Sequence, residues 1–152
     1  MNILSISKKH DWPSWLDLEF FVNFLHKHMS PYEDAPEDIR RGLEDALSEQ
    51  EGKGGLIVLG IEEGSQKLIG AVVMLRTGMS GYIPENIVLF ACVDPDHRGK
   101  GYGKTLLQSA MSSVDGDIKL HVEYDNPAKR LYERLGFTNK YAEMRFSAEK
   151  KD

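Results

Sequence analysis

Apolar and polar residues alternate weakly over residues 2–7, then change to a helical rhythm through DWPSWLDLEFFVNFLHKHM, where Trp15, Leu18, Val22, Leu25 and Met29 fall on one side. The first pattern predicts a short strand. The second predicts a helix over residues 11–29, with Asp11 as its N-cap and Pro13 in its first turn. SPYEDAP breaks that helix, and PEDIRRGLEDALSEQ restarts one over residues 36–50, with Pro36 in the first turn and acids beside the positive end of the dipole. After the turn EGKGG, the segments LIVLGIEE and KLIGAVVMLRTG read as two strands joined by GSQ, hence a hairpin. GMSGYIPE is a loop. NIVLFACV, residues 86–93, is apolar throughout, as expected of a central strand covered on both faces.

A glycine-rich turn comes next. Beyond it Leu106, Leu107, Ala110, Met111 and Val114 mark one face of a helix, and DIKLHVEY, residues 117–124, reads as a strand. In DNPAKRLYERLGF, Asn126 is the predicted N-cap and Pro127 the first helical residue. Ala128, Leu131, Tyr132 and Leu135 form its inward stripe, and Gly136 its left-handed C-cap. YAEMRF, residues 141–146, is the predicted last strand. This order implies a mixed α/β sheet sandwiched by helices. No repeat, low-complexity tract or linker divides the 152 residues, so a single domain over 1–152 is expected, long enough for a core without staples.

Charge changes the picture at one place. The chain carries a net −5, which argues against nonspecific nucleic-acid binding. Within residues 98–104, however, Arg98, Lys100 and Lys104 contribute three positive charges and no acid opposes them, so the remainder carries −8. A cationic spot on an acidic protein points to a small anionic ligand. The single Cys92 excludes an internal disulfide framework or a multi-cysteine metal site, and no metal is expected. MNILSISKKHDW has no apolar core behind its charges and IVLFACV is the longest apolar run, so neither a secretory leader nor a membrane span is expected. A reducing, cytoplasmic setting fits best.

The turn itself, DPDHRGKGYGKTLL, admits several readings. A P-loop needs G-x-x-x-x-G-K-[ST]; Gly103, Lys104 and Thr105 fit its end, but Arg98 stands where the first glycine belongs. A dinucleotide fingerprint needs G-x-G-x-x-G, and Gly99, Gly101 and Gly103 are one residue short of it. A plain connecting turn needs one glycine rather than three. The reading that fits best is a strand end whose backbone N–H groups wrap an anion at the positive end of the next helix.

VDPDHRGKGYGKTLL resembles the acetyl-CoA signature of the GCN5-related N-acetyltransferases, the GNAT superfamily. The core motif [RQ]-x-x-G-x-[GA] is met by Arg98, Gly101 and Gly103, and DNPAKRLYERLGF is similar to the second conserved stretch of that family. The resemblance is close over about 86–137, looser over the 55–77 hairpin and absent before it. It implies a mostly antiparallel sheet with helices on both faces. It also implies acetyl-CoA as cosubstrate and a primary amine, small molecule or protein, as acceptor.

By the same resemblance, the strand ending at Ala91, Cys92 and Val93 would bind the pantetheine arm through its backbone. The N–H groups of Arg98, Gly99, Lys100, Gly101, Tyr102 and Gly103 would hold the pyrophosphate. Arg98, Lys100 or Lys104 would add charge-assisted bonds. Tyr132 matches the helix tyrosine that serves as general acid, and Asn126 the asparagine beside the cofactor, at a spacing one residue shorter than in some members. A backbone N–H near Val93 is the candidate oxyanion donor. Three candidate bases remain: Glu85, His121 and Glu123, with water as the alternative. An acyl-enzyme on Cys92 is disfavoured, because an apolar strand cysteine has a raised pKa. Residues 12–50 would form the acceptor side, where Tyr32, Glu33 and Asp34, with Tyr82 and Glu85 from the other loop, could favour a cationic amine. The terminal strands look abbreviated, which leaves that side open or completed by a second subunit in a homodimer. A catalytically degenerate acyl-CoA sensor and a P-loop phosphotransferase are the rival classes.

Overall fold

The computed structural model describes residues 1–149. A five-stranded sheet runs in the order β1-β2-β3-β4-β5, from β1 (Asn2–Ile6) through β2 (Gly55–Ile61), β3 (Leu68–Arg76) and β4 (Asn86–Val93) to β5 (Ile118–Leu120). The first three pairings are antiparallel and only β4 with β5 is parallel. Helices α1 (Leu18–His28) and α2 (Pro36–Ala46) cover one face, and α3 (Tyr102–Ser112) and α4 (Ala128–Arg134) the other. The expected mixed, mostly antiparallel sheet with helices on both faces is what forms. Among the described residues no helix is long and apolar enough to cross a membrane.

Alternation along β2 and β3 splits the core in two. Ile57, Leu59, Ala71 and Val73 meet Phe21, Leu25, Ile39 and Leu43 of the first helix pair. Val58, Val72 and Met74 meet Leu106, Leu107 and Ala110 of α3, with Leu131, Tyr132 and Leu135 of α4 packed at the margin. Both faces of the central strands are thereby dry, which explains their unbroken apolar sequences.

A bulge redirects β4 halfway along its length. Val73 of β3 pairs with Phe90 and Met74 with Val88, so Leu89 is the extra residue. The parallel pairing with β5 stops at the same place, at Val88 with Leu120. A bulge bends its strand and sharpens its twist, and here β4 leaves β5 behind. The buried Asn86 pins the other end of the pair, its side-chain amide donating to the carbonyls of Asp115 and Asp117 at 2.6 and 3.2 Å. Beyond Val88 the edge of β4 is open.

Several expectations need correction. Helix α1 begins at Leu18, capped by Asp17, whose carboxylate accepts from Phe20 N at 3.0 Å; Asp11 lies instead in a short 3-10 turn. The Trp12 indole donates to Leu16 O at 2.7 Å and closes residues 12–16 as a separate turn. Helix α2 stops at Ala46, short of residue 50. The strand expected over 117–124 is three residues long, because the bulge removes its partner. The strand expected over 141–146 does not pair: residues 138–149 make no backbone hydrogen bond among the described residues, and Met144 and Phe146 are 91% and 95% exposed. Its alternation specifies an extended chain but not a neighbour.

Candidate active site

The glycine turn connects the free end of β4 to α3. Asp94 caps a 3-10 turn over Pro95–His97, its carboxylate accepting from Asp96 N at 2.9 Å. Gly99 and Gly101 come after it with φ of 78° and 80°, the left-handed region that side-chain-bearing residues avoid. A Cβ on either would meet nothing within 4 Å, so the requirement is conformational and the space above them is open. At Gly103, where φ is not left-handed, a Cβ would make ordinary van der Waals contact, 3.4 Å from Leu131 of α4 and 3.6 Å from Val93. Two glycines set the turn, and the third sits where α3, α4 and β4 meet.

The outcome is a row of unused donors. The N–H groups of Gly99, Lys100, Gly101, Tyr102, Gly103 and Lys104 find no backbone acceptor among the described residues. The first regular bond of the helix is Thr105 N to Gly101 O at 3.1 Å. Alternating left-handed glycines and a helix start form a concave nest with partial positive charge. The exposed Lys100 and Lys104 share that turn. Arg98 is engaged elsewhere: its Nε donates to Val93 O at 3.0 Å and its Nη2 to His28 O at 3.1 Å, while its own N–H is turned to Pro95 O. The unused row therefore begins one residue later than expected.

A cavity of about 70 Å³ opens beside the nest, where β4 has left β5. Its lining includes Ala91, Cys92 and Val93 of β4, Gly103 of α3, and Ala128 and Tyr132 of α4. Burial pushes the Cys92 thiol up to about 12, so the sulfur stays neutral and non-nucleophilic. The Tyr132 phenol is also raised, by burial first and by the neighbouring Cys92 second, and remains a proton carrier at any physiological pH.

Helix α4 presents Tyr132 by local rules. Asn126 Oδ1 accepts from Ala128 N at 3.0 Å, while the helix begins at Ala128, one residue later than expected, with Pro127 before it already in helical dihedrals. Gly136 ends the helix with φ of 102°. Gly136 N bonds Glu133 O and Phe137 N bonds Tyr132 O, each at 3.0 Å, the paired bonds of a Schellman motif. Its usual apolar contact is present as well, Phe137 meeting the Tyr132 ring edge-on at 5.9 Å.

The base candidates are not brought to the cavity. Glu85 sits before the far end of β4, which is 8 residues long, so roughly 20 Å of strand separates it from Cys92. Its carboxylate accepts from Asp117 N at 2.7 Å, and such backbone bonds hold it below the usual carboxylate range. Glu85 thus anchors β5. His121 and Glu123 are exposed, on the irregular segment after β5 rather than on the strand expected there. That segment is tied to the loop between α1 and α2: Tyr32 OH donates to Asp125 O at 3.1 Å, with desolvation first and the Asp125 and Glu123 charges next raising the phenol. In the same loop Glu33 Oε2 is buried without a hydrogen-bond partner among the described residues. Sequence reading missed the His28–Arg98 connection; residues 70 positions apart leave no local signal of it.

A nest, an open strand edge, an apolar cavity and a half-buried tyrosine thus lie side by side. Residues 54–139 match the family model described as Acetyltransferase (GNAT) domain. The chain belongs to that family, and its membership is carried by the elements from β2 to the end of α4.

Curated relatives agree at the level of the family. The chain is 40% identical over 60 residues to a mycothiol acetyltransferase of Actinosynnema mirum, covering 36% of this chain and 20% of that protein. It is 32% identical over 83 residues to a spermidine N(1)-acetyltransferase of Vibrio cholerae, covering 51% of this chain and 46% of that one. These matches span less than half the length of either relative. Among solved structures, an aminoglycoside antibiotic 6'-N-acetyltransferase from Acinetobacter haemolyticus superposes with TM-score 0.64 at 17% identity, covering 99% of this chain and 100% of its own. A GNAT family acetyltransferase from Staphylococcus aureus gives 0.59 at 20% identity, covering 97% and 100%. At such identities these establish the shared fold.

Proposed function

We propose that this chain is an acetyl-CoA-dependent N-acetyltransferase that acts by direct attack of a primary amine in a ternary complex. It would work as a single unit in a reducing, cytoplasmic compartment, with a cofactor core at about 86–137 and acceptor-side helices at about 12–50. The observation that carries this reading is the meeting of the unused donor row of Gly99–Lys104 with the cavity that contains Tyr132. The nest takes the pyrophosphate, with Lys100 and Lys104 adding charge. The open edge of β4 offers main-chain groups to the pantetheine amides in the manner of an added strand. The cavity beside Cys92 takes the acetyl thioester.

Oxyanion and leaving sulfur each then meet a protein group, and water moves the remaining protons. Main-chain N–H at the open end of β4, near Val93, receives the oxyanion formed when the amine attacks the carbonyl. Tyr132 faces the departing sulfur. A phenol near 10 and a thiol near 8.5 make full proton transfer uphill by roughly 2 kcal/mol, and the raised phenol of Tyr132 steepens that. Tyr132 therefore donates a hydrogen bond that stabilises the thiolate, and solvent completes the protonation. With no carboxylate or imidazole on the cavity wall among the described residues, the ammonium proton leaves through water on the open side. The half-buried Glu33, whose Oε2 has no hydrogen-bond partner among the described residues, is the group we expect to meet a cationic acceptor.

The test is release of free CoA thiol from acetyl-CoA across a panel of polyamines, aminoglycosides, amino acids and peptides. Amine-dependent release with acetylated product supports the enzyme. Saturable acetyl-CoA binding without release from any amine would identify a binding module instead.

A further inference from the structure

The two side-chain bonds of Arg98 join parts of the molecule that the sequence keeps apart. Its Nε holds Val93 O, the last carbonyl of β4, at 3.0 Å. The other half of that peptide is held too, since Asp94 N donates to Ile69 O at 2.7 Å. Its Nη2 holds His28 O at 3.1 Å, and His28 is the last residue of α1. The final carbonyls of a helix have no partner within it, and a cation there meets the negative end of the dipole. Arg98 therefore completes the C-terminus of α1 and, with the same planar fork, fixes the strand end that borders the cavity. Directly beyond α1 comes the loop with Tyr32 and Glu33, itself tied to Asp125.

We propose that Arg98 is a positioning residue and not a phosphate ligand: it is a strut that sets the acceptor-side helix α1 against the cofactor-side end of β4. This inference rests on the acetyltransferase reading for its kinetic consequence but not for its structural one. Only a guanidinium has donors spaced to reach two carbonyls on different elements, so a lysine keeps the charge and loses the strut. A phosphate ligand would behave oppositely, because a lysine is a competent phosphate partner.

The experiment compares wild type with Arg98→Lys and Arg98→Ala on two donors, acetyl-CoA and S-acetyl-pantetheine, which lacks every phosphate. The strut predicts that KM rises by the same factor for both donors, about ten-fold, that lysine does not restore it, and that saturating kcat changes little. Simple loss of folded protein would instead lower kcat and leave KM. That result, a rise confined to acetyl-CoA, or rescue by lysine would overturn the proposal. Hydrogen exchange on the free protein is the second arm. Faster exchange of the Asp94 and Met29 amides in both variants is expected, and unchanged exchange would overturn the strut. If wild type turns over neither donor, the acetyltransferase reading fails, and the exchange result still decides the role of Arg98.

Discussion

From Val93 to Phe137 nearly every feature is made by residues a few positions apart: Asp94 caps Asp96, Asn126 caps Ala128, Gly136 and Phe137 close on Glu133 and Tyr132. The acceptor side is put together differently. The contacts of the side that we assign to the acceptor run from Tyr32 to Asp125 and from His28 to Arg98, and His121, Glu123 and residues 138–149 stand in irregular chain. The half that we assign to the cofactor thus takes its shape from local backbone chemistry. The acceptor half takes its shape from long-range contacts, and its chemistry is set by exposed or unpartnered groups. A family that keeps one cosubstrate and varies the acceptor can preserve the first and vary the second.

The largest break should come from the nest. Gly101→Val forces a β-branched residue into a left-handed conformation while its side chain points into open space. Strain of about 1–3 kcal/mol should weaken acetyl-CoA binding about 10- to 100-fold with the helical and sheet signals unchanged, as calorimetry and circular dichroism would report. Next is Tyr132→Phe. Loss of the donor to the leaving sulfur should lower kcat about 100-fold with little change in acetyl-CoA affinity; equal turnover would remove Tyr132 from the chemistry.

Across the divide, Glu33→Gln should raise KM for a cationic amine by about ten-fold and leave acetyl-CoA affinity alone. An effect on acetyl-CoA instead would dissolve the division between the halves. The smallest effect concerns Cys92. Its thiol, held at about 12, should resist alkylation in the folded protein at pH 8, and Cys92→Ala should retain turnover. Since the folded state keeps a proton that the unfolded chain releases near its ordinary value, stability should fall as pH rises above about 8.5. Cys92→Ala should flatten that loss, measured as melting temperature against pH.

The same division decides what could be read from sequence. The turn, the central strand and α4 were legible because each is specified by neighbours: alternate glycines, an unbroken apolar run, an asparagine and a glycine at the two ends of a helix. Elsewhere local pattern misled. Pro13 and Trp15 extend the helical rhythm upstream, yet the Trp12 indole turns that stretch away and leaves Asp17 as the cap. DIKLHVEY has a strand's composition, but a bulge at Leu89, on another strand, ends its pairing at Leu120. Glu85 looked like a base because of its place before β4; only its bond to Asp117 N reveals an anchor. Arg98 matches a motif, and what its side chain reaches depends on a helix end 70 residues earlier.

The central claim is that the glycine turn holds the pyrophosphate of CoA. It is tested most directly by calorimetric titration of the folded protein with acetyl-CoA, beside ATP–Mg²⁺ as the comparison ligand. Saturable one-site binding of acetyl-CoA, weakened by Gly101→Val, is expected, and none of ATP–Mg²⁺. Absence of acetyl-CoA binding by folded protein would contradict it, and binding of ATP–Mg²⁺ in its place would assign the turn to a phosphotransferase.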